Sequence, residues 1–277
     1  MAQAGTIAPA KAGGFGATER KDRWWVGPLA TGLGFGAFIV YSTFRAFYNG
    51  QYELGMGAMT GPESLKNHSY MISPFYSPLI PLGFLPRALA WVSPALLILW
   101  APAGFRVTCY YYRKAYYRAF FLDPVACTVG EPSSYCGFRR GHDYKGETRL
   151  LIFQNLHRYF LYLALLFLVF LAYDVGLACR WPGGFGVSVG SLVMAANVTL
   201  LTLYCTSCHS FRHVVGGRRD RFSSTGSGRV AYRLWTIATA LNKHHMLWAW
   251  LSLFSVGFTD FYIWLVASGT ITDIKLI

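Results

Sequence analysis

Charge is what this sequence has least of. Only 13% of its residues are charged, against about 25% in an ordinary soluble domain. Acids are the scarcer sign, with 12 Asp and Glu against 25 Lys and Arg. So little charge cannot solvate the surface of a soluble globule of 277 residues. A nucleotide-cradling glycine loop is missing as well. The glycines of 27–36 are scattered along an apolar run and read as a packing face, and Gly183-Gly184-Phe185-Gly186 reads as a turn. The first 23 residues contain no apolar h-region, which makes them a cytoplasmic arm rather than a signal peptide.

What is abundant is apolar: 54% of the chain. Five runs are long enough for the roughly 20 residues that cross about 30 Å of hydrocarbon: 25–47, 88–113, 151–173, 187–211 and 244–267. The expected fold is all-α, a polytopic transmembrane bundle of five helices. Lys and Arg set its orientation. With the N-terminus inside, the inner segments 1–24, 106–149 and 212–243 hold 19 of the 25 basic residues. The C-terminus is then outside. The chain divides into an inner arm (1–24), a membrane domain (25–267) with inner loops 114–150 and 214–243, and an external tail (268–277). This inner bias accounts for the net charge of +13 without any nucleic acid.

Cys205-Thr-Ser-Cys208-His209 matches the C-x-x-C-H pattern of c-type haem attachment. Its position at the inner end of a membrane helix argues against that chemistry, which belongs to accessible segments on the outer side. Disulfides are not expected. Cys109, Cys127, Cys136, Cys205 and Cys208 all fall on the reducing side, and Cys179 is alone outside. On one continuous helix, Cys205, Cys208, His209, Arg212 and His213 would form a single polar stripe, costly in a membrane unless it faces the bundle interior. Cys109, His157, His244 and His245 are expected at the same depth. No Ser/His/Asp set and no paired carboxylates accompany them.

Helix ends presenting Cys and His to one another suggest a redox metal centre. A Rieske-type [2Fe–2S] centre takes two Cys on one iron and two His on the other. Haem b takes two facing His and needs no cysteine. Zinc carries no electrons. Cys109 and Cys208, ending separate helices at one depth, favour iron–sulfur.

Several runs resemble the single-chain, five-helix membrane anchors of some bacterial succinate dehydrogenases, over about residues 25–267. They are 108–118, Gln154-Asn-Leu-His157-Arg-Tyr-Phe160, Cys208-His-Ser-Phe-Arg-His213 with Gly216-Gly217, His245-Met-Leu-Trp-Ala-Trp250, and the outer-loop run Ser73-Pro-Phe-Tyr-Ser-Pro78. The resemblance implies a multi-pass subunit of respiratory complex II in the bacterial inner membrane, anchoring a flavoprotein and an iron–sulfur subunit on the cytoplasmic face. Electrons from succinate would cross a centre in this chain to quinone, and the succinate site would belong to a partner. The resemblance supports a Rieske-type centre over two haems. The chosen ligands are Cys109, Cys208, His157 and His213, with His209 and His245 in reserve. A higher oligomer of the complex is also open.

Quinone needs an apolar slot with a few donors and a proton path. One region is the inner interface, with Tyr110, Arg113, Arg158 and His209. The other is an outer slot formed by a re-entering loop, with Ser73, Tyr76 and Ser77 against Trp91 and Trp248. The outer slot is the preferred reading, and Asp260 in the last helix joins a proton path or caps at the surface. The alternatives are a haem-b cytochrome subunit of another oxidoreductase, and a transporter. No internal repeat or broken helix pair is evident for the latter.

Overall fold

The computed structural model describes residues 18, 20–55, 67–82, 92–121, 148–217, 221–222 and 226–277, with only the backbone at 148–151, 153 and 154. Trp91, Cys127, Cys136 and most of segments 1–24 and 114–150 lie outside the described residues.

Helix dominates, as it must where a bilayer leaves no water for backbone groups. Four helical segments are long and apolar enough to cross a membrane: Val26–Tyr48 (α1), Asn155–Ala178, Val189–Thr206 and His245–Ala267. They carry outward side chains that suit lipid, such as Val40, Val169 and Phe254, 70%, 64% and 53% exposed.

The expected second span is not a single helix. Its described part runs as α2 (Pro94–Ile98), α3 (Trp100–Thr108) and α4 (Tyr110–Phe120). Pro94 opens α2 in the first turn, where no N–H is needed. Cys109 is extended (φ −65, ψ 131) and ends α3. The second Asn155–Ala178 span belongs to α5 (Thr148–Ala178), 31 residues long, or about 46 Å at 1.5 Å per residue.

The expected fourth span also breaks. It divides into α6 (Val189–Thr206) and α7 (His209–Gly216), with Cys208 extended (φ −67, ψ 142) at the junction. A pair of broken helices, not expected from the sequence, is thus present. The segment read as loop 214–243 is largely α8 (Gly226–Asn242), followed by α9 (His245–Ala267). Ser188 starts α6 in a capping box with Ser191.

Two compact units divide the chain. In Met1–Gly36 with Tyr110–Thr148, Phe35 meets Tyr112 with ring centroids 5.2 Å apart. The second, Ala37–Cys109 with Arg149–Ile277, holds everything that follows.

At one end of this second unit, β1 (Glu53–Leu54) pairs antiparallel with β2 (Met71–Ile72). Gly55, next after β1, has φ +96, and a Cβ there would fall 2.0 Å from the Ser69 carbonyl oxygen, so only glycine fits. Leu54 and Met71 pack with Ala178, Met194, Ile263 and Val266 at the ends of α5, α6 and α9. β3 (Arg180–Trp181) and β4 (Gly184–Phe185) form a hairpin between α5 and α6.

Beside this hairpin the C-terminal tail is clasped to α6. Asp273 accepts from the Gly190 N–H at 2.8 Å and from the Tyr262 hydroxyl at 2.7 Å, and it stands 3.3 Å from His68 Nε2. Burial works to raise the Asp273 carboxyl, but the nearby His68 and Ser188 side chains and the bonds from Tyr262 and Gly190 hold it below the usual carboxylate range. A depressed folded pKa stabilises above the unfolded value and is lost as pH falls through the folded one. Protection of the tail amides from hydrogen exchange is therefore expected to fall as the pH drops below about 4. Asp273→Asn should remove that acid dependence. An acid response unchanged in the variant would rule the clasp out as its source.

Candidate functional site

The two helix breaks face each other across the bundle and gather four ligand-type side chains. Cys208 Sγ lies 3.0 Å from His157 Nε2, and Cys109 Sγ lies 3.6 Å from His245 Nε2. All four residues are at least 94% buried, the most exposed being His157 at 6%. Cys109 and Cys208 are near enough to interact electrostatically, as are His157 and His245. The cluster is thus made of two thiol–imidazole pairs.

Hydroxyls fix the imidazoles. Thr108 Oγ1 contacts His157 Nδ1 at 3.0 Å, and Ser207 Oγ contacts His245 Nδ1 at 2.7 Å. Each hydroxyl immediately precedes a cysteine. The pairing is crossed: Thr108 holds the histidine that meets Cys208, and Ser207 holds the one that meets Cys109. Aromatic rings complete the pattern. Phe105 stacks on His157 at 4.5 Å and 6°, and Tyr204 stacks on His245 at 5.2 Å and 21°. The chain therefore uses aromatic-x-x-hydroxyl-Cys twice, as Phe105-Arg-Val-Thr108-Cys109 and Tyr204-Cys-Thr-Ser207-Cys208. Both copies end a helix on an extended cysteine.

The single stripe expected from Cys205 to His213 does not form, because the break ends the helical register at Ser207–Cys208. His209 and His213 lie beyond it on α7, both exposed, and are not brought to the four-residue cluster. His209 has its imidazole pKa lowered by partial burial and by Arg212 and His213. Cys205 is buried on α6, on the wall of a cavity. Among the described residues, no three His, Cys, Asp or Glu side chains converge closely enough to hold one metal ion. Two Cys and two His make up the donor set of the cluster. Thr108, Ser207, Phe105 and Tyr204 were missed from the sequence, although the doubled aromatic-x-x-hydroxyl-Cys pattern was there to find.

A cavity of ≈ 150 Å³ adjoins the cluster. Phe105 and Tyr204 are part of its wall, so a single ring separates it from each imidazole. Arg106, Cys205 and Ser42 contribute polar groups, and Phe167, Leu168 and Leu201 are among its apolar residues. Arg106 is fixed by hydrogen bonds to the Ala249 carbonyl at 3.2 Å and to Ser252 Oγ at 3.1 Å. Its guanidinium lies 4.8 Å from the Tyr204 ring centroid.

The run Ser73–Pro78 does enter the bundle, but its hydroxyls point away from this cavity. Ser73 Oγ donates to Asp260 at 2.5 Å, Ser77 Oγ to Asp174 at 2.5 Å, and Tyr76 to the Arg45 carbonyl at 2.5 Å. Pro74 and Phe75 line the cavity instead. Neither Trp248 nor the half-buried Arg158 is among its lining residues. Asp260 does not cap at the surface. It is fully buried, paired with Arg45 Nε at 2.8 Å, and also accepts from the Tyr41 hydroxyl at 2.5 Å.

A family model described as the actinobacterial succinate dehydrogenase subunit SdhC matches residues 26–269. A chain of a solved structure described as the Mycobacterium smegmatis Sdh1 complex in the apo form is 41% identical, over 99% of this chain and 99% of that one, with a TM-score of 0.77. No curated protein matches.

Proposed function

Because the chain belongs to the actinobacterial family of succinate dehydrogenase subunit SdhC, we propose that it carries electrons from the soluble part of the complex to quinone within the membrane. As a subunit of this oxidoreductase it is a multi-pass protein of the bacterial inner membrane. Its partners are the flavoprotein subunit, which holds the succinate site, and the iron–sulfur subunit. The resemblance read from the sequence is borne out at the level of family. The five-span bundle with its N-terminus inside remains the preferred topology, on the asymmetry of Lys and Arg.

The reading rests above all on one observation: the two rings lying on His157 and His245 are also the wall of an apolar cavity. Cys109 and Cys208 would hold one iron of a Rieske-type [2Fe–2S] group, and His157 and His245 the other. When bound, that group supplies a one-electron carrier between the soluble clusters and quinone. Thr108 and Ser207 orient the imidazoles through Nδ1. Hydroxyl and carbonyl partners of this kind fix the tautomer of metal-binding histidines. Phe105 and Tyr204 shield the imidazoles from the cavity. Quinone fits the cavity, with its ring against Phe105 and Tyr204 and with Arg106 and Ser42 as hydrogen-bonding groups for the carbonyls. Ser73, Tyr76 and Ser77 act indirectly, anchoring the loop that presents Pro74 and Phe75.

Filling the cavity tests this assignment. Ala164 is 8% exposed and lines it. Ala164→Phe is expected to raise the KM for quinone about 10-fold or more, the scale of an overpacking penalty of about 1–3 kcal/mol. Succinate oxidation with a soluble dye as acceptor, measured on the same complex, should not change. An unaltered quinone KM in a folded variant would move the quinone elsewhere.

A further inference from the structure

The inner segment 214–243 carries a helix whose surface falls into three sectors. Gly228, Ala231, Trp235 and Ala238 of α8 recur at helical spacing and face inward. Trp235 packs on Gly216 of α7, where an added Cβ would fall 2.5 Å from its ring, and Arg212 lies 5.2 Å from the ring centroid. A second sector, at i, i+4, i+7 and i+11, is apolar: Val230, Leu234, Ile237 and Leu241. The first three are 59%, 42% and 56% exposed. Arg229, Arg233 and Thr236 form the third, all exposed. No acid occurs in the helix.

The position of α8 identifies what covers these sectors. Asn242 at its end donates to the Ser207 carbonyl at 2.7 Å, which pins it to the inner end of α6. Three residues later α9 begins, and its first turn exposes Met246 and Leu247 by 60% and 50%. The apolar sector thus joins the lipid-facing surface of a membrane span at its boundary. An apolar face bordered by cationic and aromatic side chains is the pattern of a helix lying in a membrane interface. We propose that α8 lies in the inner-leaflet interface and binds acidic phospholipid. Val230, Leu234 and Ile237 enter the acyl layer, and Arg229 and Arg233 meet headgroup phosphates. Each arginine so placed adds electrostatic attraction to an anionic leaflet.

The test uses the whole complex in nanodiscs of phosphatidylcholine alone, or with phosphatidylglycerol added. Hydrogen exchange across 226–242 is expected to slow several-fold when phosphatidylglycerol is present, and Arg229→Gln/Arg233→Gln should abolish that difference. Native mass spectrometry should show fewer phosphatidylglycerol molecules retained by the double variant. Protection that ignores lipid charge and vanishes when the iron–sulfur subunit is stripped would assign the surface to that subunit and overturn the proposal. Fast exchange in every lipid would overturn it too. None of these outcomes bears on the redox cluster, so the two readings fail separately.

Discussion

Cys109→Ser and Cys208→Ser are each expected to abolish electron transfer from succinate to quinone while leaving succinate oxidation by a soluble dye intact. The reason lies in the division of labour. Succinate chemistry belongs to the flavoprotein subunit, whereas each of these two thiols meets an imidazole in the buried cluster. Low-temperature EPR of the reduced complex provides the direct readout. A rhombic Rieske-type signal should be present in the parent and absent from either variant, with the signals of the partner's clusters unchanged. Thr108→Val should act more weakly. It removes only the hydroxyl on His157 Nδ1, and losses at such orienting partners run to about 10–100-fold. Full quinone turnover in Cys208→Ser would defeat the assignment. A low-spin haem signal in the oxidised parent would return the histidines to haem b.

The second large effect is on stability. Arg45 and Asp260 are both fully buried and joined by two hydrogen bonds, at 2.8 and 3.3 Å. Removing one partner of such a pair leaves a bare charge in the interior and costs about 3–5 kcal/mol. Asp260→Leu would strand the Arg45 guanidinium, and it would also take the acceptor from Tyr41 and from Ser73, loosening the loop that shapes the cavity. The complex carrying it is expected to assemble poorly and to melt well below the parent. The double variant Arg45→Leu/Asp260→Leu should regain most of that loss, because replacing both charges by apolar groups is often close to neutral. Equal destabilisation in the single and double variants would show that the loop contacts matter and the charges do not.

The helix breaks explain where sequence reasoning stopped. Neither Ser207-Cys208 nor Thr108-Cys109 contains glycine or proline, the residues that ordinarily announce a helix end. Periodicity alone therefore continued the register through Cys208 and aligned His209 and His213 with it. The loop 214–243 concealed α8 for the opposite reason. Its apolar stripe is narrow and interrupted by Arg229 and Arg233, and its high content of basic residues marked it as an inner loop. Ser73, Tyr76 and Ser77 were expected to supply donors to a quinone slot, and all three are buried. Their hydroxyls nonetheless turn to Asp260, Asp174 and a backbone carbonyl, because a buried polar group must find a partner, and the cavity wall offers few.

Composition by itself made this a membrane chain. Scarce charge and long apolar runs leave no other solvent for its surface, and its runs of Cys, His and Tyr were enough to place it among succinate dehydrogenase anchors. Which histidines stand beside the cysteines was decided only in three dimensions. His245 reaches Cys109 across 136 residues of sequence, whereas His213 is five residues from Cys208 and faces elsewhere. Short-range spacing carries no information about a contact made between the ends of separate helices. That contact depends on how α3, α5, α6 and α9 pack, and on two extended cysteines that redirect the chain where the helices meet.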